Sequence, residues 1–582
     1  MTQSQHFTRK ILIILCTYYN LDLISPTNAD PITNPIRIGI VTAEQTGYFN
    51  TGGLGHAVRG KAWSLNEDPD IEVEVLMPYY ESIRQDTQAQ PHIRETPLEI
   101  IVSLDFRDGV AHKHSRFRVH EGNIPGTVRT LLYSHEARYE SEPDYFWNVA
   151  SKKKGYGPAD IKGEAFGAWA KAVAETALLR QYDILILSDW HAGFVAPFIQ
   201  DQRLAGRQTP KMILDVHNAG YEEWFPVSLA EFLGINNMYM THDGLLHKGG
   251  LSPLKAGMEY SDMMFMVSLN YAQETESPRF ADELSGLVWK KRLYHRVSGW
   301  INGIHVPDWD PQVVDTDLPF TFSVDDMSGR AHGKLAMQRH FGLPVNGHIP
   351  VIGLTSRVTE QKGFDYMFSV LDQILAERSV QVVIVGDADQ VKYEEGLDFL
   401  KLKYPEQFRV RGFSAKDEKW ITRYGDFLAN FSVYEPSGLN FQFGMATGNI
   451  PLVSRVGGQA DLVRDGVNGF LAEIVPASDP RYTNQHATRE SVLNTMRRAL
   501  DTYENDRQKI SDMQKTAMKM DNSWKSRLSQ FKALFEYVVS EGPMRLTQAQ
   551  SGAPVGRSAV DLMRASRKLS SSCSAYMGRQ SK

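Results

Sequence analysis

Short apolar runs that alternate with helical stretches constrain this chain more than any other feature. The runs "IRIGIVTAE" (36–44), "EVEVLMPYY" (72–80), "YDILILSDW" (182–190), "KMILDVHN" (211–218) and "DMMFMVS" (262–268) form a first series. The alanine-rich stretch "EAFGAWAKAVAETALLRQ" separates two of them. A second series holds "IPVIGLTS" (349–356), "VQVVIVGD" (380–387), "FRVRGF" (408–413), "FLANFSVYE" (427–435) and "IPLVSRVGG" (450–458). Strands apolar at nearly every position are buried on both faces, so helices must cover both sides of the sheet. The pattern predicts an α/β chain with two mostly parallel, doubly wound sheets.

The boundaries follow from changes in character. Residues 36–310 form the first Rossmann-like unit, and residues 348–500 the second. Residues 311–347, richer in Pro and Asp, read as their connection. Residues 501–541 are helical in composition. Residues 542–582 carry few large apolar groups and predict a disordered polar tail. Residues 1–35 read as a signal-peptide-like or disordered extension, in which Arg9 and Lys10 precede an apolar run and Thr27 and Ala29 offer small residues. The expectation is a cytoplasmic protein, or an exported one if residues 1–29 act as a signal. No apolar run approaches the ~18 residues of a membrane span.

Net charge is −6 and pI about 6.3. A general nucleic-acid binder would be basic, so nucleic acid is not an expected partner. Cys16 and Cys573 are the two cysteines, too few for a disulfide framework or a cysteine metal site.

In open α/β sheets ligands bind at the carboxyl ends of the strands. After the first strand comes "TGYFNTGGLGHAV", where Gly52 and Gly53 turn the chain into a helix. Such a turn permits close backbone approach and aims helix-end amides at an anion. His191 follows the strand ending near 188, and His217 and Asn218 follow the next. After "IPVIGLTS" come Arg357 and Lys362, five residues apart, with no glycine-rich phosphate loop around them. Glu435 leads "EPSGL" into an apolar helix, and Gly457 and Gly458 close the last run. Any one of these alone reads as an ordinary turn or a solvated charge. Together they place two cations, a carboxylate and glycine turns at strand ends of two facing units. Two cations and helix-end amides can stabilise a leaving diphosphate, and no aspartate-rich metal motif lies near them.

The motifs "NTGGLG" (50–55), "DWH" (189–191), "LKAGMEYSD" (254–262), "INGIH" (301–305), "SRVTEQKG" (356–363) and "EPSGL" (435–439) stand in order. The chain thereby resembles the bacterial and plant glycogen/starch synthases over residues 36–540. These are retaining glycosyltransferases of the GT-B architecture, two Rossmann-like domains facing across a cleft. The stretch "SWKSRLSQFKALFEYV" resembles the family's C-terminal helix, which crosses back to the first domain. The resemblance implies a hexosyltransferase that moves glucose from ADP-glucose or UDP-glucose to an α-1,4-glucan.

It further implies that Arg357 and Lys362 hold the diphosphate and Glu435 contacts the donor sugar. Gly438 and Leu439 would offer amides to phosphate. His191 would line the sugar pocket, and Gly52 and Gly53 would approach the donor. Gly457, Gly458, Asn302, His217, Asn218 and Lys255 complete the implied donor set. No metal or other cofactor is expected, since the nucleotide sugar is a substrate.

Several positions depart from the family pattern. Asn50 stands for a lysine, His56 for an aspartate, His305 for the aspartate of N-G-I-D and Ser437 for a cysteine. "IKGEAF" (161–166) lacks the usual Asp-Asn pair and arginine. Most departures lie in the first unit, where acceptor recognition resides in the family. Two other readings therefore stand beside glucan elongation. One is an exported enzyme with a protein or other glycan as acceptor. The other is a silent GT-B fold that binds a glucan or a partner, against which the intact Arg357, Lys362 and Glu435 argue.

Overall fold

The computed structural model describes residues 35–105, 113–136 and 159–540. The leader-like stretch, the polar tail and both cysteines lie outside the described residues. No helix among the described residues is long and apolar enough to cross a membrane.

The first lobe is built on a nine-stranded sheet. Its strands are β1 (Ile36–Val41), β2 (Ile71–Pro78), β3 (Ile93–Leu104), β4 (Lys113–Gly122), β5 (Thr130–Glu136), β6 (Ile184–Ser188), β7 (Lys211–Val216), β10 (Met263–Met266) and β11 (Val297–Gly299), with a small hairpin, β8 (Leu246–His247) and β9 (Gly250–Leu251), apart from it. The order is β11-β10-β7-β6-β1-β2-β5-β4-β3. Strands β1, β2, β5, β6, β7, β10 and β11 pair in parallel, whereas β4 is antiparallel to both β3 and β5. The antiparallel edge is a difference from the expected pattern. Its strands alternate buried and exposed residues, as "KHSRFRVHEG" does, because one face meets solvent.

The second sheet is wholly parallel. It contains β12 (Val351–Thr355), β13 (Gln381–Val385), β14 (Phe408–Arg411), β15 (Phe427–Asn430), β16 (Ile450–Ser454) and β17 (Phe470–Ala472), in the order β14-β13-β12-β15-β16-β17. Strands β12, β13, β15 and β16 are buried at every position, which is why they read as continuous apolar runs.

The stretch 311–347 does more than connect. Leu318 and Phe322 lie just ahead of its helix Ser328–His340, on which Met337 sits. With Phe341 and Leu343 they pack on Val351, Val383, Val385 and Leu428 and cover one face of the second sheet. The helix Leu528–Ser540 returns to the first lobe, where Phe531, Leu534, Phe535 and Val538 join its core. The two chain crossings meet at Trp524. A Cβ at Gly60 would lie 2.4 Å from the Trp524 ring, and one at Gly303 would lie 2.4 Å from its backbone nitrogen. Glycine at both positions is what lets the crossing seat so closely.

The strand orders also say where a ligand sits. All four strands run parallel, but the order in which strands are added reverses between β6 and β1 in the first sheet and between β12 and β15 in the second. At such switch points the loops diverge and leave a crevice beyond the carboxyl ends.

Candidate active site

In the second lobe, β12 ends at Thr355 and the turn 356–363 is fastened at both sides. The Val358 amide donates to the Asp387 carbonyl at 2.9 Å, and the Val433 amide donates to the Gln361 carbonyl at 2.8 Å. Gly363 closes the turn at φ +77°, where a Cβ would stand 2.4 Å from the Phe431 carbonyl oxygen. The turn thus holds Arg357 and Lys362 between the ends of β13 and β15.

Lys362 Nζ lies 2.5 Å from Glu435 Oε2. That oxygen also accepts from Ser432 Oγ at 2.8 Å and Asn430 Nδ2 at 3.0 Å. Burial alone would raise the Glu435 pKa. Lys362 and the two neutral donors outweigh it and hold the carboxyl below its ordinary range. Gly438 sits at φ +75° as the N-cap of the helix Leu439–Ala446, so that helix begins beside Glu435, where its first amides have no partner within the helix. Asn440 Nδ2 donates to the Thr355 carbonyl at 3.1 Å and ties the helix start to β12.

Gly457 and Gly458 have a different place. A Cβ at Gly457 would fall 1.8 Å from the Glu435 carbonyl oxygen, and the Gly458 amide donates to that oxygen at 3.1 Å. The Gly457 amide donates to both carboxylate oxygens of Glu274 at 3.1 Å. These amides are taken within the protein. The two glycines form the floor of the Glu435 turn.

In the first lobe, Gly52 caps the helix Gly53–Asn66 and both glycines are exposed. A Cβ at Gly53 would stand 3.7 Å from Leu439 Cδ1, so the turn faces the helix start of the opposite lobe. His191 follows β6 on the helical turn Asp189–Gly193. Its ring stacks on Trp190 at 3.9 Å between centroids and meets Phe166 edge-on at 5.2 Å. Burial, then the nearby Lys162 charge, pushes its pKa well below the usual histidine range, so the imidazole is neutral at pH 7. His217 and Asn218 follow β7, and their amides donate to Asp189 Oδ1 at 2.7 and 3.1 Å. His217 Nε2 lies 2.9 Å from Asp215 Oδ2. Asp189 is held at φ +54°, and burial pushes its carboxyl up to about 6.

Two tyrosines were missed by sequence reasoning. Arg357 donates to the Tyr221 hydroxyl at 3.0 Å across the lobes. A Cβ at Gly220 would be 3.0 Å from Tyr434 Oη, so Tyr434 meets the same loop. The available signal was an aromatic residue three positions after a strand-end His-Asn.

Two other expected donor residues lie elsewhere. Lys255 Nζ donates to the carbonyls of Leu246, at 2.7 Å, and His242, and so fastens that loop. Asn302 is buried at the crossing where Ile304 pairs with Ser523; its backbone N–H donates to the Val267 carbonyl at 3.3 Å, while its side-chain Oδ1 has no partner among the described residues. The structure therefore gathers Arg357, Lys362, Glu435, Gly438, Leu439, Gly52, Gly53 and the loop after Asn218 along the meeting line of the lobes. His191 and His217 sit at the adjoining strand ends.

The first lobe also braces the Glu435 turn. Ser268 Oγ donates to the Pro436 carbonyl at 2.5 Å, and Asp461 accepts from the Leu269 and Asn270 amides at 2.7 and 3.1 Å. Among the described residues no three His, Cys, Asp or Glu side chains gather as a metal site would need.

Two doubly wound sheets meeting at their carboxyl ends, with cations and a buried carboxylate on one side and a glycine turn on the other, define a GT-B glycosyltransferase. Residues 37–290 match the family model of the starch synthase catalytic domain, and residues 349–484 that of glycosyl transferases group 1. A glycogen synthase of Anaeromyxobacter dehalogenans (strain 2CP-C) is 31% identical over 516 residues, covering 86% of this chain and 99% of its own. One from Desulforudis audaxviator is 27% identical over 506 residues, 84% of this chain and 94% of its own. The chain belongs to the glycogen/starch synthase family. Its fold is shared with the catalytic domain of Starch Synthase IV from Arabidopsis thaliana, solved bound to ADP and acarbose. That likeness has a TM-score of 0.76 at 22% identity and covers 88% of this chain and 100% of that one. Sucrose-phosphate synthase from Thermosynechococcus elongatus is more distant, at TM-score 0.52 and 14% identity over 86% of this chain and 99% of its own.

Proposed function

We propose that this enzyme transfers glucose from a nucleoside-diphosphate glucose to an α-1,4-glucan with retention of configuration. The observation that carries this is the placement of Arg357 and Lys362 on one clamped turn beside buried Glu435 and the helix start at Gly438–Leu439. A departing diphosphate brings negative charge to that place. An opposite charge about 4 Å away, at an effective dielectric near 20, supplies roughly 4 kcal/mol before desolvation. Helix-end amides add to it without reorganising. Lys362 keeps two further N–H bonds beyond the one on Glu435, and Arg357 would trade Tyr221 for phosphate oxygen.

Glu435, ionised, can only accept hydrogen bonds, which suits it to donor-sugar hydroxyls. Neutral His191 stands at the end of β6 as a group that can donate or accept. The acceptor hydroxyl would attack on the face from which the diphosphate leaves, and a departing phosphate oxygen would take its proton. The charge compensation comes from the two side chains and the amides, so the reaction needs no metal ion or other cofactor.

The test is incubation with ADP-glucose and UDP-glucose, each with and without glycogen. Nucleotide release and polymer-bound glucose are measured separately, with EDTA in parallel. Glucose bound to polymer in a glycogen-dependent, EDTA-resistant manner is expected. Nucleotide release with no polymer-bound sugar would overturn the glucan acceptor, and loss of transfer in EDTA would overturn the metal-free scheme.

A further inference from the structure

The loop after β7 does more than present Tyr221. Residues 222, 223 and 225 are each fastened to other elements. Glu222 accepts from Lys248 Nζ at 2.6 Å and faces His247 Nε2 at 2.9 Å. Glu223, at φ +43°, accepts from Lys162 Nζ at 2.8 Å. Phe225 is buried and pairs with Leu251 through two backbone hydrogen bonds of 2.8 Å. Between these anchors Trp224 remains 56% exposed. Its ring edge rests against the backbone of Gly250, where a Cβ would lie 3.3 Å from Cε3. A large ring is thus held outward on a backbone fixed at both sides.

We infer that Trp224 is a stacking platform for a distal sugar of the glucan acceptor. Three observations point to a neutral sugar chain. The platform is continuous with the candidate active site: Tyr221, three residues away and itself exposed, touches Arg357. Three residues of extended chain reach at most about 11 Å, so the ring lies within a few sugar units of the reacting centre. The nearby cations are already taken, Lys162 by Glu223 and Lys248 by Glu222 and Asp282, so the ledge offers no free cation to an anionic ligand. A pyranose presents an apolar C–H face that packs on an indole, while its hydroxyls remain in water. An exposed tryptophan beside a polar cleft has this amphipathic fit.

The inference rests on the glucan reading above and names a subsite that discriminates acceptors by length. The experiment uses the full chain. Maltose and maltoheptaose are compared as acceptors for the parent, Trp224→Ala and Trp224→Phe, and maltoheptaose binding is measured directly by calorimetry. Trp224→Ala is expected to lower the ratio of kcat/KM for maltoheptaose over maltose about tenfold, the equivalent of roughly 1.4 kcal/mol. The loss lies in KM, the nucleotide-sugar KM is unchanged, and Trp224→Phe recovers part of it. A length preference equal to the parent's in Trp224→Ala would overturn the inference. So would an equal loss with both acceptors, or maltoheptaose binding unaffected by the substitution. Maltoheptaose binding that depends on Trp224, without any transfer, would sustain the platform and count against the proposed reaction alone.

Discussion

Lys61 and Asp215 form an ion pair whose side chains are 1% and 0% exposed, deep in the first lobe. Lys61 lies on the helix that begins at the Gly52-Gly53 turn, and Asp215 lies two residues before His217. The ammonium sits 5.4–5.6 Å from the rings of Phe265, Trp524 and Phe531, two of which belong to the returning C-terminal segment. Burial alone would raise the Asp215 pKa. His217 and Lys61 outweigh it and hold the carboxyl far below the usual range.

Replacing Lys61 by methionine leaves that carboxylate buried with His217 as its remaining partner, since Asp215 Oδ1 has none among the described residues. Breaking a buried pair costs about 3–5 kcal/mol. At about 2–4 °C per kcal/mol for a lobe of this size, thermal unfolding of Lys61→Met falls by roughly 6–20 °C. Replacing both partners, Lys61→Met with Asp215→Leu, removes the stranded charge. It leaves His217 Nε2 without its acceptor, a loss of about 1 kcal/mol. The double variant therefore unfolds within a few degrees of the parent. Circular dichroism melts of the four proteins form the cycle. Lys61→Met within ~1 kcal/mol of the parent, or a double variant as unstable as the two singles summed, would refute the reasoning.

Arg357→Ala lowers transfer about 100-fold, the usual consequence of losing one charge-stabilising donor. Lys362→Met lowers it further because it also removes the counter-charge of buried Glu435, leaving that carboxylate only the neutral donors Ser432 and Asn430; steady-state rates in which Lys362→Met is the milder of the two would contradict this. Gly457→Ala drives a methyl group into the Glu435 carbonyl at a left-handed φ, at a cost on the order of 3 kcal/mol. Its melt and its transfer rate both drop, and a rate near the parent's would show that the Glu435 turn is not fixed from below. Burial pushes the Glu274 carboxyl up to about 7. The folded protein then binds a proton that the unfolded chain releases above about 4.5, so stability falls as pH rises from about 4.5 to 7. Glu274→Gln flattens that slope in melts between pH 5 and 8, and superimposable pH curves for the two proteins would rule the effect out.

What the sequence disclosed is what lies close in the chain. The parallel strands were legible because burial on both faces leaves unbroken apolar runs. Arg357 and Lys362 were legible because they follow such a run directly. The expected strand 427–435 stops at Asn430, because the next residues turn to put Ser432 and Asn430 on the Glu435 carboxylate. The edge strands β3 and β4 leave no such mark, since their mixture of charged and apolar residues resembles loop composition, and the apolar run of β5 is too short to stand out. The pairings Lys362–Glu435 and Arg357–Tyr221 span 73 and 136 residues, and no local pattern encodes a contact at that range.

The departures in the first lobe take on another meaning in three dimensions. A lysine in place of Asn50 would put a cation near the phosphates or the acceptor. The Asn50 amide instead donates to Thr46 Oγ1 at 3.1 Å inside its own loop. His56 meets Phe443 of the second lobe edge-on at 5.7 Å, and burial lowers its pKa to about 4, so it packs as a neutral ring. His305 Nδ1 lies 3.1 Å from Asp308, which also accepts from Arg59 at 3.0 Å. Where the family pattern puts carboxylates at 56 and 305, this chain has two histidines around one carboxylate at 308. Phe443 stacks on Trp309 at 3.9 Å directly beside them. The altered positions 56 and 305 therefore cluster at the junction of the lobes, on and beside the helix that starts at the Gly52–Gly53 turn. His56, His305, Trp309 and Phe443 thus fill the junction with aromatic rings around one shared carboxylate, where the family pattern has two more carboxylates.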